Sequence, residues 1–207
     1  MIIFDIGASV GEFSKKYSKN STIYAFEPNK LNLITLIDNC KNLKNYFIID
    51  KAVSDIEGYM DFYESNYTNA SSLLPFTENT KIWLNPNPTL PILKTINTYK
   101  VDTIRLDKFI EKNNINQTID FIKIDTQGHD LKVIKSLGDH IFRVREILAE
   151  VQTTNYELYK NQTKKSELVE YMKIHDFSLK KNQQTSKNQE ENIWFTNNKF
   201  YNHYNLE

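Results

Sequence analysis

Met1-Ile2-Ile3-Phe4-Asp5-Ile6-Gly7-Ala8-Ser9-Val10-Gly11 is the stretch on which the fold turns. Met1 to Phe4 is continuously apolar and closes on Asp5, as expected of a parallel strand covered on both faces. Gly7 permits a sharp turn and close approach to a ligand, so a valine there is expected to block binding while the fold persists. A short helix, expected from about Glu12 to Tyr17, would aim free N–H groups at whatever lies over the turn. Outward from this stretch, strands and helices alternate. Ile23-Tyr24-Ala25-Phe26 ends at Glu27-Pro28, and Tyr46-Phe47-Ile48-Ile49 ends at Asp50. Between them Leu33, Ile34, Ile37 and Cys40 share one helical face. This βαβ spacing predicts an α/β fold with a doubly wound, mostly parallel sheet.

The alternation breaks between residues 58 and 100. Four of the five prolines fall here, Pro75, Pro86, Pro88 and Pro91. Gly58 to Tyr63 alternates like a strand, and Ile82-Trp83-Leu84 is an apolar cluster in a loop. A stretch of this kind inside a small α/β domain reads as an inserted lid or binding loop, or as a β-excursion that covers the sheet edge. Regularity returns with a strand near Thr98 to Arg105, a helix starting near Asp107, and the strand Ile119 to Asp125. Leu131, Ile134 and Leu137 then share a helical face that Gly138 terminates, and Glu146 to Val151 is a further strand. Residues 164–174 form an amphipathic helix through Leu168, Val169 and Met172. Phe177-Ser178-Leu179 and Ile193-Trp194-Phe195 flank a polar stretch, about Lys180 to Asn192, read as a hairpin connection. One domain over residues 1–205 is expected, with Leu206-Glu207 resembling the scar of a C-terminal tag.

Composition narrows the function. The 207 residues carry 26 basic and 26 acidic side chains, which argues against a nucleic-acid binder. Cys40, the single cysteine, excludes an intrachain disulfide and a cysteine-rich zinc site. No apolar run approaches the roughly 20 residues of a membrane span or resembles a signal sequence, so a cytoplasmic protein is expected.

The chemistry gathers at the strand ends. Asp5, Gly7, Ala8, Ser9 and Gly11 form an acidic-x-Gly-x-small-x-Gly turn rather than the G-x-G-x-x-G of dinucleotide-binding domains. Glu27 lies twenty residues beyond Gly7, where a carboxylate can accept hydrogen bonds from both hydroxyls of a ribose; the lesser alternative is a strand-end residue that only caps the helix after Pro28. Asp50, Lys51, Ala52 and Val53, at the third strand end, lie where an adenine would sit. Together these imply an adenosine-bearing cofactor without identifying it.

The order of motifs adds a resemblance. Asp5 to Gly11, Ala25-Phe26-Glu27-Pro28, Ala52-Val53-Ser54-Asp55 with Gly58, Ser71-Ser72-Leu73, Leu106-Asp107-Lys108-Phe109 and Phe121 to Asp130 occur in sequence. This series resembles the FkbM family of S-adenosylmethionine-dependent methyltransferases from residue 2 to about 152, with Lys123-Ile124-Asp125-x-x-Gly128 its most specific piece. The resemblance implies a class I, Rossmann-like methyltransferase fold with seven strands, the last antiparallel. It also implies S-adenosyl-L-methionine as cofactor, S-adenosyl-L-homocysteine as product, and O-methylation of a hydroxyl on a sugar, glycolipid or small-molecule natural product. Ser9 stands where the family often has Asn, and the chain opens on the first strand, ahead of which many members carry a helix. Part of one sheet face would then be bare, either covered by a second copy in a homodimer or left so by truncation.

Removing a hydroxyl proton needs a positioned base, because an alcohol's pKa is comparable to that of water, about 15–16. Asp125 is the first candidate, His129 the second with its ordinary pKa of about 6.5, and Glu150 could orient either or hold the acceptor. Each has a structural alternative: Asp125 could anchor the loop, His129 could be a surface residue, and Lys123, if buried, needs Asp125 or Glu150 as a partner. No metal is expected. Trp83 and Gln127 are the candidates for contact with a small-molecule or carbohydrate acceptor. Two rival readings remain open: a module that binds S-adenosylmethionine or S-adenosylhomocysteine without turnover, and an NAD-type nucleotide-binding domain.

Overall fold

Ile3, Phe4 and Ile6 are each at most 2% exposed because their strand runs through the middle of a sheet. The computed structural model describes residues 1–83, 89 and 91–201. Leu84, Pro86, Pro88 and Leu206-Glu207 lie outside them. In chain order the elements are β1 (Ile2–Ile6), β2 (Thr22–Phe26), α1 (Lys30–Cys40), β3 (Tyr46–Ile49), β4 (Ala52–Val53), β5 (Gly58–Ser65), β6 (Thr95–Ile104) and α2 (Leu106–Lys112). They continue with β7 (Ile119–Ile124), α3 (Asp130–Lys135), β8 (Val144–Gln152), α4 (Lys165–Ile174), β9 (Phe177–Thr185), β10 (Glu190–Asn197) and α5 (Asn198–Tyr201). No helix among the described residues is long and apolar enough to cross a membrane.

The main sheet has seven strands in the order β3-β2-β1-β7-β8-β10-β9. The five strands from β3 to β8 are parallel, and β10 pairs antiparallel with both β8 and β9. This is the seven-stranded class I methyltransferase arrangement implied by the sequence. Alternation along β1 sends Phe4 and Ile6 to one face and Ile3 to the other. On the first face Phe4, Phe26 and Phe109 of α2 pack edge to face, with Phe26 and Phe109 centroids 4.9 Å apart, and α3 and α4 extend that core. On the second face α1 covers Ile3, Ile23 and Ala25 through Leu36 and Cys40. Farther along this face, a cavity of about 800 Å³ is lined by Ile3, Phe13, Phe121 and Trp194.

Three local expectations are corrected. The segment expected as a helix at Glu12–Tyr17 is a 3-10 helix over Ser14–Asn20. The buried stripe of α1 is Asn32, Leu36 and Cys40, while Ile34 and Ile37 are 67% and 49% exposed. The cause is the approach of Gly11: a Cβ there would sit 2.8 Å from Leu36 Cδ1 and 3.0 Å from Cys40 Sγ, so these two side chains face the loop. The polar stretch read as a long connection lies mostly in β9 and β10, joined only by Ser186–Gln189, where Ser186, Lys187 and Asn188 adopt positive φ. As the sheet's edge strand, β9 needs no apolar alternation, and its lysines suit an edge that must not recruit further strands.

At the two ends of the segment around residues 58–100, β5 and β6 form a long antiparallel pair, and with β4 they make a second, small sheet of order β4-β6-β5. Phe62, Leu73, Val101 and Ala52 make its core. Residues 67–73, which follow β5, line a cavity together with Gly7, Glu27 and Asp125 at the C-terminal ends of the main strands.

Gly7 makes the expected sharp turn, and a second constraint also requires glycine there. Its φ is +72°, and an added Cβ would lie 2.0 Å from the carbonyl oxygen of Asp125. Any side chain there drives β1 and β7 apart, so the fold itself suffers and not only a ligand. Gly7→Ala is expected to lower the unfolding free energy by about 2–3 kcal/mol, read as a lower urea midpoint; an unchanged midpoint would show that the Asp125 carbonyl can step aside.

Candidate active site

The turn after β1 is tied to the end of β2 by backbone and side chain together. The N–H groups of Gly7 and Ala8 both donate to Phe26 O at 3.0 Å. Ser9 takes a left-handed conformation, φ +50°, which turns its N–H onto Glu27 Oε2 at 2.7 Å. The other oxygen, Oε1, accepts from Asn29 N at 2.8 Å, and Asn29 itself caps α1 through Leu31 N and Asn32 N. Glu27 is thus clamped between the loop and the helix start and is 5% exposed. Burial raises its pKa to about 7 against the opposing pull of the Asn29 and Ser9 N–H groups. Each carboxylate oxygen keeps acceptor capacity beyond the single bond it makes, and the residue faces a cavity.

That cavity, of about 290 Å³, lies over the strand ends. Of the expected cofactor residues, Gly7, Ser9, Glu27, Pro28, Lys51, Ala52 and Val53 line it. Ala8 lines an adjoining cleft that shares Ser9, Asp125 and Glu150 with it. Asp5 and Gly11 sit behind the turn, and Asp50 is exposed; none of the three reaches either lining. Trp83, Asp125, Gln127 and Glu150 line the cavity as well. Trp83 is half-buried against the small cluster of Ala70, Leu93, Leu158 and Tyr159.

His129 is the clear correction. It is 1% exposed, absent from the lining, and its Nε2 shares a 3.0 Å hydrogen bond with Ser54 Oγ. Burial, with Lys132 nearby, lowers its pKa to about 4, which makes it a neutral core residue joining β4 to α3. No group of three potential metal ligands occurs among the described residues.

Sequence reasoning missed the wall opposite the strand ends. Residues Tyr67 to Leu73 line the cavity; Asn69 Oδ1 accepts from Ser9 Oγ at 2.9 Å, and Asn29 Nδ2 donates to Ser71 Oγ at 3.2 Å. Ser72, 2% exposed, donates to Gln127 O at 2.8 Å. The available signal was the Ser71-Ser72-Leu73 motif, to which no role was attached. Tyr159 and Glu190, also on the wall, had no sequence signal at all.

The far side of the cavity is acidic. Asp125 stands at the end of β7, and Glu150 is near the end of β8. Burial, reinforced by Asp125, Glu190 and Asp130, pushes the Glu150 pKa well up; burial likewise raises Glu190, and Asp130 to about 7. The compensating charge is Lys123, whose Nζ donates to Gly7 O at 2.6 Å and lies 3.5 Å from Asp5 and 3.4 Å from Asp125. Its partners are therefore Asp5 and Asp125 rather than Glu150. Burial opposes its charge, but Asp125 and Asp5 outweigh that and hold the ammonium above the usual lysine range.

A model of the methyltransferase FkbM domain matches residues 5–179. A curated relative, the 2-O-methyltransferase NoeI of Sinorhizobium fredii, is 24% identical over 164 residues, covering 78% of this chain and 66% of its own length, just under two thirds. Among solved structures, Aeropyrum pernix fibrillarin in complex with natively bound S-adenosyl-L-methionine superposes with a TM-score of 0.53 at 11% identity, over 94% of this chain and 65% of the other. A Streptococcus agalactiae protein described as of the NADB-Rossmann superfamily gives a TM-score of 0.51 at 9% identity, over 94% and 61%. These structural likenesses concern the fold alone.

Asp5 is fully buried, and among the described residues its carboxylate accepts no hydrogen bond. Lys123→Met is therefore expected to cost about 3–5 kcal/mol in urea unfolding, part of it recovered in the Asp5→Asn/Lys123→Met double variant. A loss smaller than 1 kcal/mol, on the order of an exposed pair, would remove Lys123 from this role.

Proposed function

We propose a function from one premise: this chain belongs to the FkbM methyltransferase family. It is an S-adenosylmethionine-dependent methyltransferase, and the reading offered here is O-methylation of a hydroxyl on a sugar, glycolipid or small natural product. The observation that carries it is the Glu27 carboxylate, buried, clamped by Ser9 N and Asn29 N, and turned to the cavity above the first two strands. A donor with a ribose diol fits a carboxylate whose remaining lone pairs face the cavity. The activity named for the relative NoeI, 2-O-methylation, supports an oxygen acceptor. This chain spans only part of that relative, so the acceptor class remains part of the proposal.

In this reading Glu27 takes the ribose hydroxyls, Gly7 and Ser9 bound the amino-acid end, and Ala52 and Val53 supply an apolar wall for the base. S-adenosylmethionine brings a methyl group already activated by its sulfonium charge, so the protein contributes positioning and removal of one proton. Asp125, paired with Lys123 at 3.4 Å and bordering both cavity and cleft, accepts the acceptor hydroxyl's proton. With the donor bound, that oxygen would take the methyl group as S-adenosylhomocysteine leaves. Asp125 returns its proton to water through the open cleft.

Glu27→Ala is expected to weaken S-adenosylhomocysteine binding by about 1.5–3 kcal/mol in calorimetry; unchanged affinity would refute the ribose assignment. The pH dependence has a definite sign. Glu27 is half-protonated at about 7 in the free protein, and ribose donors favour its ionised form. Affinity should therefore rise between about pH 6 and about pH 8, with uptake of ligand releasing protons, and Glu27→Gln should flatten that rise. Asp125→Asn should lower turnover, measured as S-adenosylhomocysteine release with a methylated acceptor, by about 100-fold or more, with donor affinity little changed. An equal loss in both would make Asp125 a binding residue instead.

A further inference from the structure

We propose that Gln127 is a positioning residue that yokes Asp125 to Glu150 and thereby fixes how that carboxyl pair holds its protons. The inference rests on Asp125 as the proton acceptor of the reaction proposed above. Gln127 was expected to touch the acceptor; both of its amide hydrogens are already committed inside the protein, which leaves only spare acceptor capacity on Oε1. Its Nε2 donates to Asp125 Oδ1 at 2.9 Å and to Glu150 Oε2 at 3.0 Å, which uses both amide hydrogens. Its Oε1 accepts from the hydroxyl of Tyr159 at 2.8 Å.

The amide is fixed from three directions. Tyr159 is fully buried, and its hydroxyl also lies 3.0 Å from Ala70 O. The Gln127 backbone carries a φ of +55°, uncommon for a residue with a side chain, and its carbonyl is held by Ser72 Oγ at 2.8 Å. A flipped amide would aim its oxygen at two carboxyl groups and its N–H groups at Tyr159, so the network itself sets the orientation. The chain thus maintains a strained residue whose one evident product is a fixed donor between two acids.

The neighbours give that donor its consequence. Facing the pair are Lys123 from β7, with Asp5 of β1 behind it; Glu190 from β10, held by Gln152 Nε2 at 2.9 Å and by Ser186 Oγ; and Asp130 at the start of α3. One ammonium stands against several carboxyls, so ionising Glu150 beside them calls on the amide hydrogens. A hydrogen bond donated to the charged form favours that form. Removing both donors without admitting water must therefore make the pair keep its proton to higher pH.

The test is a titration of the free protein followed by the infrared carbonyl band of neutral carboxyl groups, with Glu150→Gln and Asp125→Asn to assign it. Gln127→Leu, of similar size and without donors, should move the midpoint of the Glu150 band upward by about one pH unit. Tyr159→Phe, which keeps the buried ring and releases the amide oxygen together with the Ala70 carbonyl, should move it the same way by less. Should Gln127→Leu fail to fold, Tyr159→Phe decides alone. Titrations that overlay the wild type, or that shift downward, overturn the yoke. Calorimetry of the wild type with S-adenosylhomocysteine separates the two ideas: absence of binding would sink the methyltransferase reading, whereas an unshifted titration in a protein that binds would sink only this one.

Discussion

Lys123 is the charge around which the site is organised. It rises from an apolar strand, donates to the carbonyl of Gly7, and stands between Asp5 and Asp125. The first contact fixes the turn after β1; the other two bring carboxylates from neighbouring strands within 3.5 Å of one ammonium. Gly7 can approach so closely only because it has no Cβ, and the backbone of Asp125 fills the space that a side chain would take. Sequence, packing and electrostatics meet here. Without the lysine, a fully buried Asp5 would face desolvation with no compensating charge among the described residues.

From this point the cavity is built by ties across distant parts of the chain. Glu27 binds the turn to the end of β2, Ser9 binds it to Asn69 in the loop between β5 and β6, and Ser72 binds that loop to Gln127. The small sheet of β4, β6 and β5 is therefore a wall of the site as well as a cover for the sheet. Ser72, in the loop that follows β5, holds the carbonyls of Thr126 and Gln127 just past the end of β7.

Charge around the cavity is graded. Glu27, on the side assigned to the ribose, lies where burial leaves it half-ionised at about pH 7. Across the cavity, Asp125 and Glu150 share the Gln127 amide under the influence of Lys123. Histidine, the side chain whose ordinary pKa best suits proton transfer, is placed in the core instead, where burial keeps His129 neutral. The acid–base work proposed for this site accordingly falls to carboxyl groups.

The order of strands and helices and the turn at Gly7 were legible in the chain itself, because period and punctuation are local properties of sequence. The position of Glu27 at a strand end was legible for the same reason. Other features were decided only by three-dimensional packing. Ile34 and Ile37 share an apparent apolar stripe with Cys40, yet face solvent because Gly11 draws Leu36 and Cys40 toward the loop. His129 and Gln127 sit two residues apart in one motif, yet one is in the core and the other spans two acids. Tyr159 and Glu190 reach the site from segments with no motif at all. Local pattern fixes which residues arrive at the end of a strand; which way each then turns depends on partners tens of residues away, and no spacing records them.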